Sequence, residues 1–112
     1  MNTKDYILSR LIDIVVDCSK SAILDDNTIT RSTLLGNSKN ENACMARAIV
    51  VCQLIDAGYT ITTIAKLLKR TAQGIRHIVK INYVLLKSSR AYRIASNEVS
   101  ERCKELWQVI SK

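Results

Sequence analysis

A chain of 112 residues and 12.6 kDa with 47% hydrophobic and 24% charged residues has the size and composition of one globular domain. It holds no Pro, no Phe and only three Gly, which favours helices and argues against a many-stranded β fold. No apolar run approaches the roughly 20 residues that span a bilayer, and the net charge of +7 directs attention to anionic partners.

In chain order, Thr3 can cap a helix running to about Ser19, with Ile7, Leu8, Leu11, Ile12, Val15 and Cys18 recurring at steps of three and four. Asp25-Asp26-Asn27 is a polar break. Thr30 heads a short helical turn, Arg31 to Leu35, which Gly36 is expected to stop in a left-handed conformation. After a polar loop, Asn37 to Asn42, a long helix is predicted from near Asn42 to Ala57 with Gly58 as its terminator. Ala46, Ile49, Val50, Cys52, Leu54 and Ile55 make it apolar over most of its circumference, which places it at the centre of the core. Thr60 caps a short helix, Ile61 to Leu68, and Thr71 caps a long one from Ala72 to about Ser88. The buried side of the latter is Ile75, Ile78, Val79, Asn82, Leu85 and Leu86. Asn97 is expected to cap the last helix, with Glu98 and Glu101 in its first turn and a stripe of Val99, Cys103, Leu106 and Ile110. Residues 1–112 thus read as one compact all-α domain of five to six helices. Lys4 and Asp5 in the first turn, with no small-residue cleavage site after them, mark no signal peptide and point to the cytoplasm. Cys18, Cys44, Cys52 and Cys103 are widely spaced, form no C-x-x-C pair and read as small core hydrophobes, with no disulfide framework, zinc site or cofactor implied.

The charge is unevenly placed. Residues 1–30 carry three basic and five acidic side chains, residues 31–60 three and two, and residues 96–112 three and three. Residues 61–95 carry Lys66, Lys69, Arg70, Arg76, Lys80, Lys87, Arg90 and Arg93 and no acid, and between Asp56 and Glu98 there is no carboxylate. Opposite charges at i,i+4 support a helix and like charges repel, so this stretch calls for an anionic partner. Membrane surface is disfavoured, because the stretch lacks the Trp or Phe that would accompany Lys and Arg on an interfacial helix. Nucleic acid remains.

Thr60–Lys80 has the spacing of a helix–turn–helix, which extends over residues 60–88. Ala65 fits the close-packed position of the first helix, Ile64, Leu68, Ile75 and Ile78 the core between the two, and Thr71 the cap of the recognition helix. Lys69 stands where such turns commonly have Gly, and Arg70 where an apolar residue usually follows. Gln73, Arg76, His77 and Lys80 lie at steps of three and four opposite Ile75, Ile78 and Val79, and are the expected base-reading set. Lys66, Lys69, Arg70, Thr71 and Lys87 are placed for phosphates, which set register and affinity, and Gly74 for close backbone approach.

These residues resemble the C-terminal, duplex-binding domain of the bacterial replication initiator DnaA, a Trp-repressor-like helix–turn–helix fold. ILSRLIDIVVDC (Ile7–Cys18) is similar to that domain's first helix, TLLGNSK (Thr33–Lys39) to its Asp-Leu-Leu and basic-loop element, and Ala46-Arg47 to the Arg at the head of its next helix. The family signature Arg-Asp-His-Thr-Thr-Val-x-His falls on Arg70-Thr71-Ala72-Gln73-Gly74-Ile75-Arg76-His77, where Arg70 and His77 are identical and Ile75 keeps the apolar type. The resemblance implies the fold and duplex-DNA binding with a different sequence preference. It also implies a backbone or minor-groove contact from the basic loop, for which Lys39 and Arg47 stand as candidates. No Walker-A sequence is present, so it implies no ATPase.

His77 has no neighbouring carboxylate in sequence to orient it as a catalytic base, and neither an enzyme nor a small-molecule substrate is indicated. Tyr83 and Tyr92 can stack on a base or touch a phosphate, with packing the favoured role, and Trp107 belongs to the core or an interface beside Leu106, Val109 and Ile110. The expectation is a non-enzymatic double-stranded DNA-binding regulator of transcription or replication that can assemble as a homodimer. The alternative is a protein-interaction module whose first and last helices form a dimer seam and whose basic face is incidental.

Overall fold

The computed structural model describes residues 3–19, 30–36 and 41–111. Among these residues there are six helices and no strand: α1 (Thr3–Ser19), α2 (Arg31–Leu35), α3 (Glu41–Asp56), α4 (Ile61–Leu68), α5 (Ala72–Ser88) and α6 (Arg90–Ser111). None is long and apolar enough to cross a membrane.

The apolar circumference of α3 decides the architecture. Ala46, Ala48, Ile49, Val50, Val51 and Leu54 are all buried, so the helix must be covered on several sides. α1 and α5 pack against it, α2 and α6 cover further faces, and α1 also packs along α6. Leu11, Ile12 and Val15 of α1 meet α3 in one continuous cluster with Leu34, Ile64, Ile75, Tyr92 and Val99. A fully buried Leu or Ile of this kind contributes roughly 1.5–3 kcal/mol relative to an exposed one.

The helix ends follow local chemistry. α3 stops one residue short of its expected end, and Gly58 takes a positive φ of 100° behind it. Gly36 is different from expectation, since its backbone is not left-handed. A Cβ there would lie 2.8 Å from the Ser32 carbonyl oxygen, so the close turn at the end of α2 rather than handedness excludes a side chain. Arg31 ties α2 to α1 through Asp13 Oδ1 at 2.6 Å and the Ser9 carbonyl at 3.2 Å. Both ends of that ion pair are about half exposed, which limits it to about 1 kcal/mol or less.

The last helix corrects the sequence reading. Asn97 does not cap it; α6 begins at Arg90, and Ser89 is the cap, its Oγ accepting the Tyr92 N–H at 3.1 Å. The stripe of Val99 and Cys103 continues back through Ala95 and Tyr92, all buried, so starting the helix only at residue 97 would undo this packing. Glu98 lies inside the helix and pairs with Arg102 at 3.0 Å, an i,i+4 contact. Ser89 alone joins α5 to α6. Two polar pairs, one buried and one half-buried, fix how α6 sits: Tyr92 Oη donates to Asn82 Oδ1 on α5, and Trp107 Nε1 donates to Gln53 Oε1 on α3 at 3.3 Å.

Candidate nucleic-acid interface

α4 and α5 pack together through Ile64, Ala65, Leu68 and Ile75, all buried. The small side chain of Ala65 sits in this contact, as its position in the sequence requires. Thr60 opens α4, with its Oγ1 accepting the Thr63 N–H at 3.2 Å. Lys69 closes it in the left-handed conformation, φ 55° and ψ 47°. The Arg70 N–H returns to the Ala65 carbonyl at 2.9 Å and the Lys69 N–H to that of Lys66 at 3.3 Å, the two bonds of a Schellman end. A lysine here occupies the conformation for which Gly is favoured. Thr71 then caps α5, with its Oγ1 accepting the Gly74 N–H at 3.0 Å.

Gly74 has a local explanation. A Cβ on it would come within 3.1 Å of the same Thr71 Oγ1, so glycine keeps the cap uncrowded. The close approach seen at this residue is to its own cap, where the sequence suggested an approach to a ligand.

Gln73, Arg76, His77 and Lys80 are all exposed and lie along the outward side of α5, opposite buried Ile75 and Asn82. Lys66, Lys69, Thr71 and Lys87 are exposed as well. Among the described residues, none of Lys66, Lys69, Arg76, Lys80, Lys87 or Arg90 pairs with a carboxylate; the ion pairs present are at Arg31, Arg102 and Lys104. α4, α5 and the start of α6 therefore carry a cationic surface without internal neutralisation.

Two arginines are placed elsewhere. Arg47, expected to reach a backbone or minor groove, is only 7% exposed. Its Nε donates to the Leu34 carbonyl at 2.8 Å and its Nη2 to that of Gly36 at 3.0 Å. These are carbonyls that the end of a short helix leaves open, so Arg47 is a clamp on α2 and is removed from the surface set. Arg70 is half-buried and also donates to the Gly36 carbonyl. Burial, and then the neighbouring Arg47 charge, hold its guanidinium below its ordinary pKa. Lys39 lies outside the described residues.

Sequence reasoning missed Val84 and ranked packing ahead of a base or phosphate contact for Tyr83. Tyr83 is 61% exposed and Val84 63%, whereas Tyr92 is fully buried as expected. Their signal was the wheel of α5, on which residues 83 and 84 continue the outward rows through Arg76 and His77. Among the described residues no cluster of His, Cys, Asp and Glu could hold a metal ion. Compared with protein families, with curated proteins and with solved structures, the chain matches none of them.

Proposed function

We propose that this chain is a double-stranded DNA-binding domain that uses α4 and α5 as a helix–turn–helix, with α5 entering the major groove. The observation that carries the reading is the exposed row Gln73, Arg76, His77 and Lys80 on a surface with no carboxylate between residues 57 and 97. Arg suits guanine O6 and N7, and Gln suits adenine N6 and N7. Lys66, Lys69 and Lys87, all exposed, are assigned to phosphates, and the Thr71 cap orients the first turn of α5. The role is that of a cytoplasmic transcription or replication regulator without catalytic activity. The likeness to the DnaA C-terminal domain belongs to this proposal and rests on Arg70, Ile75 and His77.

Selection from randomised duplexes at ~150 mM salt, where non-specific binding is weak, tests it. Enrichment of a motif is expected. Arg76→Ala should relax one base pair of that motif by ~1–3 kcal/mol, and Lys66→Ala should weaken binding to every sequence while making the salt slope shallower by about one unit. Recovery of no DNA by the wild type refutes the reading.

A groove between α1 and α6, lined by Tyr6, Arg10, Ile14, Arg102, Glu105 and Leu106, favours a second reading in which two copies pair there. Tyr6 is 50% exposed at its edge. Sedimentation equilibrium of the wild type and Tyr6→Ser tests this pairing, and a wild-type monomer at all concentrations removes it.

A further inference from the structure

The outward face of α5 changes chemistry along its length. Its first half presents Gln73, Arg76, His77 and Lys80, whereas its second half presents Tyr83 and Val84, each more than half exposed, before returning to Lys87. Val84 stands two helical turns beyond His77 on nearly the same line, about 10 Å further along the axis. With Ile81 and Leu85 it forms the apolar part of a shallow groove of about 300 Å³ whose other walls are His77 and Lys80.

Single exposed apolar residues are ordinary on protein surfaces. The surroundings of this pair are less so. Lys80, Lys87, Arg90 and Arg93 lie on the same stretch, and no carboxylate occurs between Asp56 and Glu98. An apolar protein partner seated here would be brought against several uncompensated cations. The ligand this surface fits has apolar groups on its floor and anions along both edges. The major groove of a duplex containing thymine has that arrangement, because the C5-methyl groups project into the groove between two phosphate rows.

We infer that Val84, flanked by Ile81 and Tyr83, is a specificity-determining residue that selects thymine through its C5-methyl group. This rests on the duplex-binding reading above and extends the reading surface of α5 by one turn beyond Lys80. The polar row specifies by hydrogen bonds, while Val84 specifies by apolar contact at the next base pairs. The enriched motif is therefore expected to contain thymine at the edge that faces the C-terminal half of α5.

The test replaces each thymine of the enriched duplex in turn by deoxyuridine, which removes the methyl group and leaves the pairing edge intact. Wild-type affinity should fall about three- to fourfold at one or two positions, the effect of one buried methyl group. Val84→Ala should bind the thymine duplex more weakly by a similar factor and should no longer distinguish thymine from deoxyuridine at those positions. Val84 is exposed, so this variant tests recognition without disturbing the core, and Arg76→Ala serves as the control that retains the methyl discrimination. If deoxyuridine is tolerated everywhere, or Val84→Ala keeps the wild-type discrimination, the inference is overturned while the duplex reading stands. Loss of self-association in Val84→Ala with unchanged methyl discrimination would give the patch to a second copy and also overturn it. If the wild type retains no duplex, both readings fall together.

Discussion

Arg47→Ala should destabilise the protein by about 2–3 kcal/mol without altering the way the folded form binds DNA. In the native state the Arg47 guanidinium donates to the carbonyls of Leu34 and Gly36, at 2.8 and 3.0 Å, from a site only 7% exposed. Hydrogen bonds involving a charged group contribute about 1.5–3 kcal/mol each. The second counts for less than the first, because Gly36 also accepts from Arg70. Removing the buried Arg47 cation beside half-buried Arg70 returns part of the loss, since burial and Arg47 together already depress the Arg70 pKa. The balance leaves about 2–3 kcal/mol, which for a domain of this size lowers Tm by roughly 10 °C. Urea unfolding followed through Trp107 fluorescence measures it, with Arg47→Met as the control that keeps the apolar stem and deletes the donors. Methionine should recover less than half of the loss. The clamp assignment is refuted if Arg47→Ala shifts stability by less than about 0.5 kcal/mol, and all the more so if the salt slope of DNA binding becomes shallower by one unit.

Three further perturbations bear on the same structure. Lys69→Gly relieves a left-handed conformation that costs a β-carbon-bearing residue about 1 kcal/mol; after the added chain entropy of glycine, the urea midpoint should rise by the equivalent of about 0.5 kcal/mol, and a fall would show that the Lys69 side chain contributes more than its backbone loses. Tyr92→Phe deprives buried Asn82 of its donor and should cost about 1–2 kcal/mol, with Asn82→Leu in the same chain recovering part of it; strictly additive losses in the double-mutant cycle would dissociate the two residues. Burial pushes the thiols of Cys18 and Cys103 up to about 11 and that of Cys52 to about 12, from an ordinary 9.0. Thiols whose pKa is raised on folding lend stability that is complete below pH 9 and is lost as the pH rises through 11 to 12. Unfolding free energy should therefore decline from pH 9 upward, less steeply in Cys18→Ala/Cys103→Ala, and a flat profile to pH 11 would contradict this burial.

The helices were legible where two local signals coincided. Thr60 and Thr71 each precede an apolar period, and the bounds of α4 and α5 follow from them. Asn97 misled because an Asn followed by an acidic residue imitates a helix start. The true start at Ser89 was hidden by the absence of Gly or Pro, and only the burial of Tyr92 and Ala95 reveals the extra turns. The outward row of α5 was visible from spacing alone, since helical geometry fixes which residues share a face. The fate of Arg47 was not, because composition counts a cation the same whether it faces solvent or seals the end of a neighbouring helix. That distinction depends on where α2 ends in space relative to α3. Tyr83 shows the converse: an aromatic residue is assigned inward by default until the helix wheel is weighed against its neighbours.

The Gly36 carbonyl receives Arg47 from 11 residues away and Arg70 from 34. Closing the shorter loop costs less chain entropy, so the join of α2 to α3 can form while α4 and α5 are still unattached. The two grips join different parts of the chain at one acceptor, Arg47 from α3 and Arg70 from the turn between α4 and α5. A chain ending before residue 60 would lose the second grip and, with it, the α5 and α6 faces that bury α3.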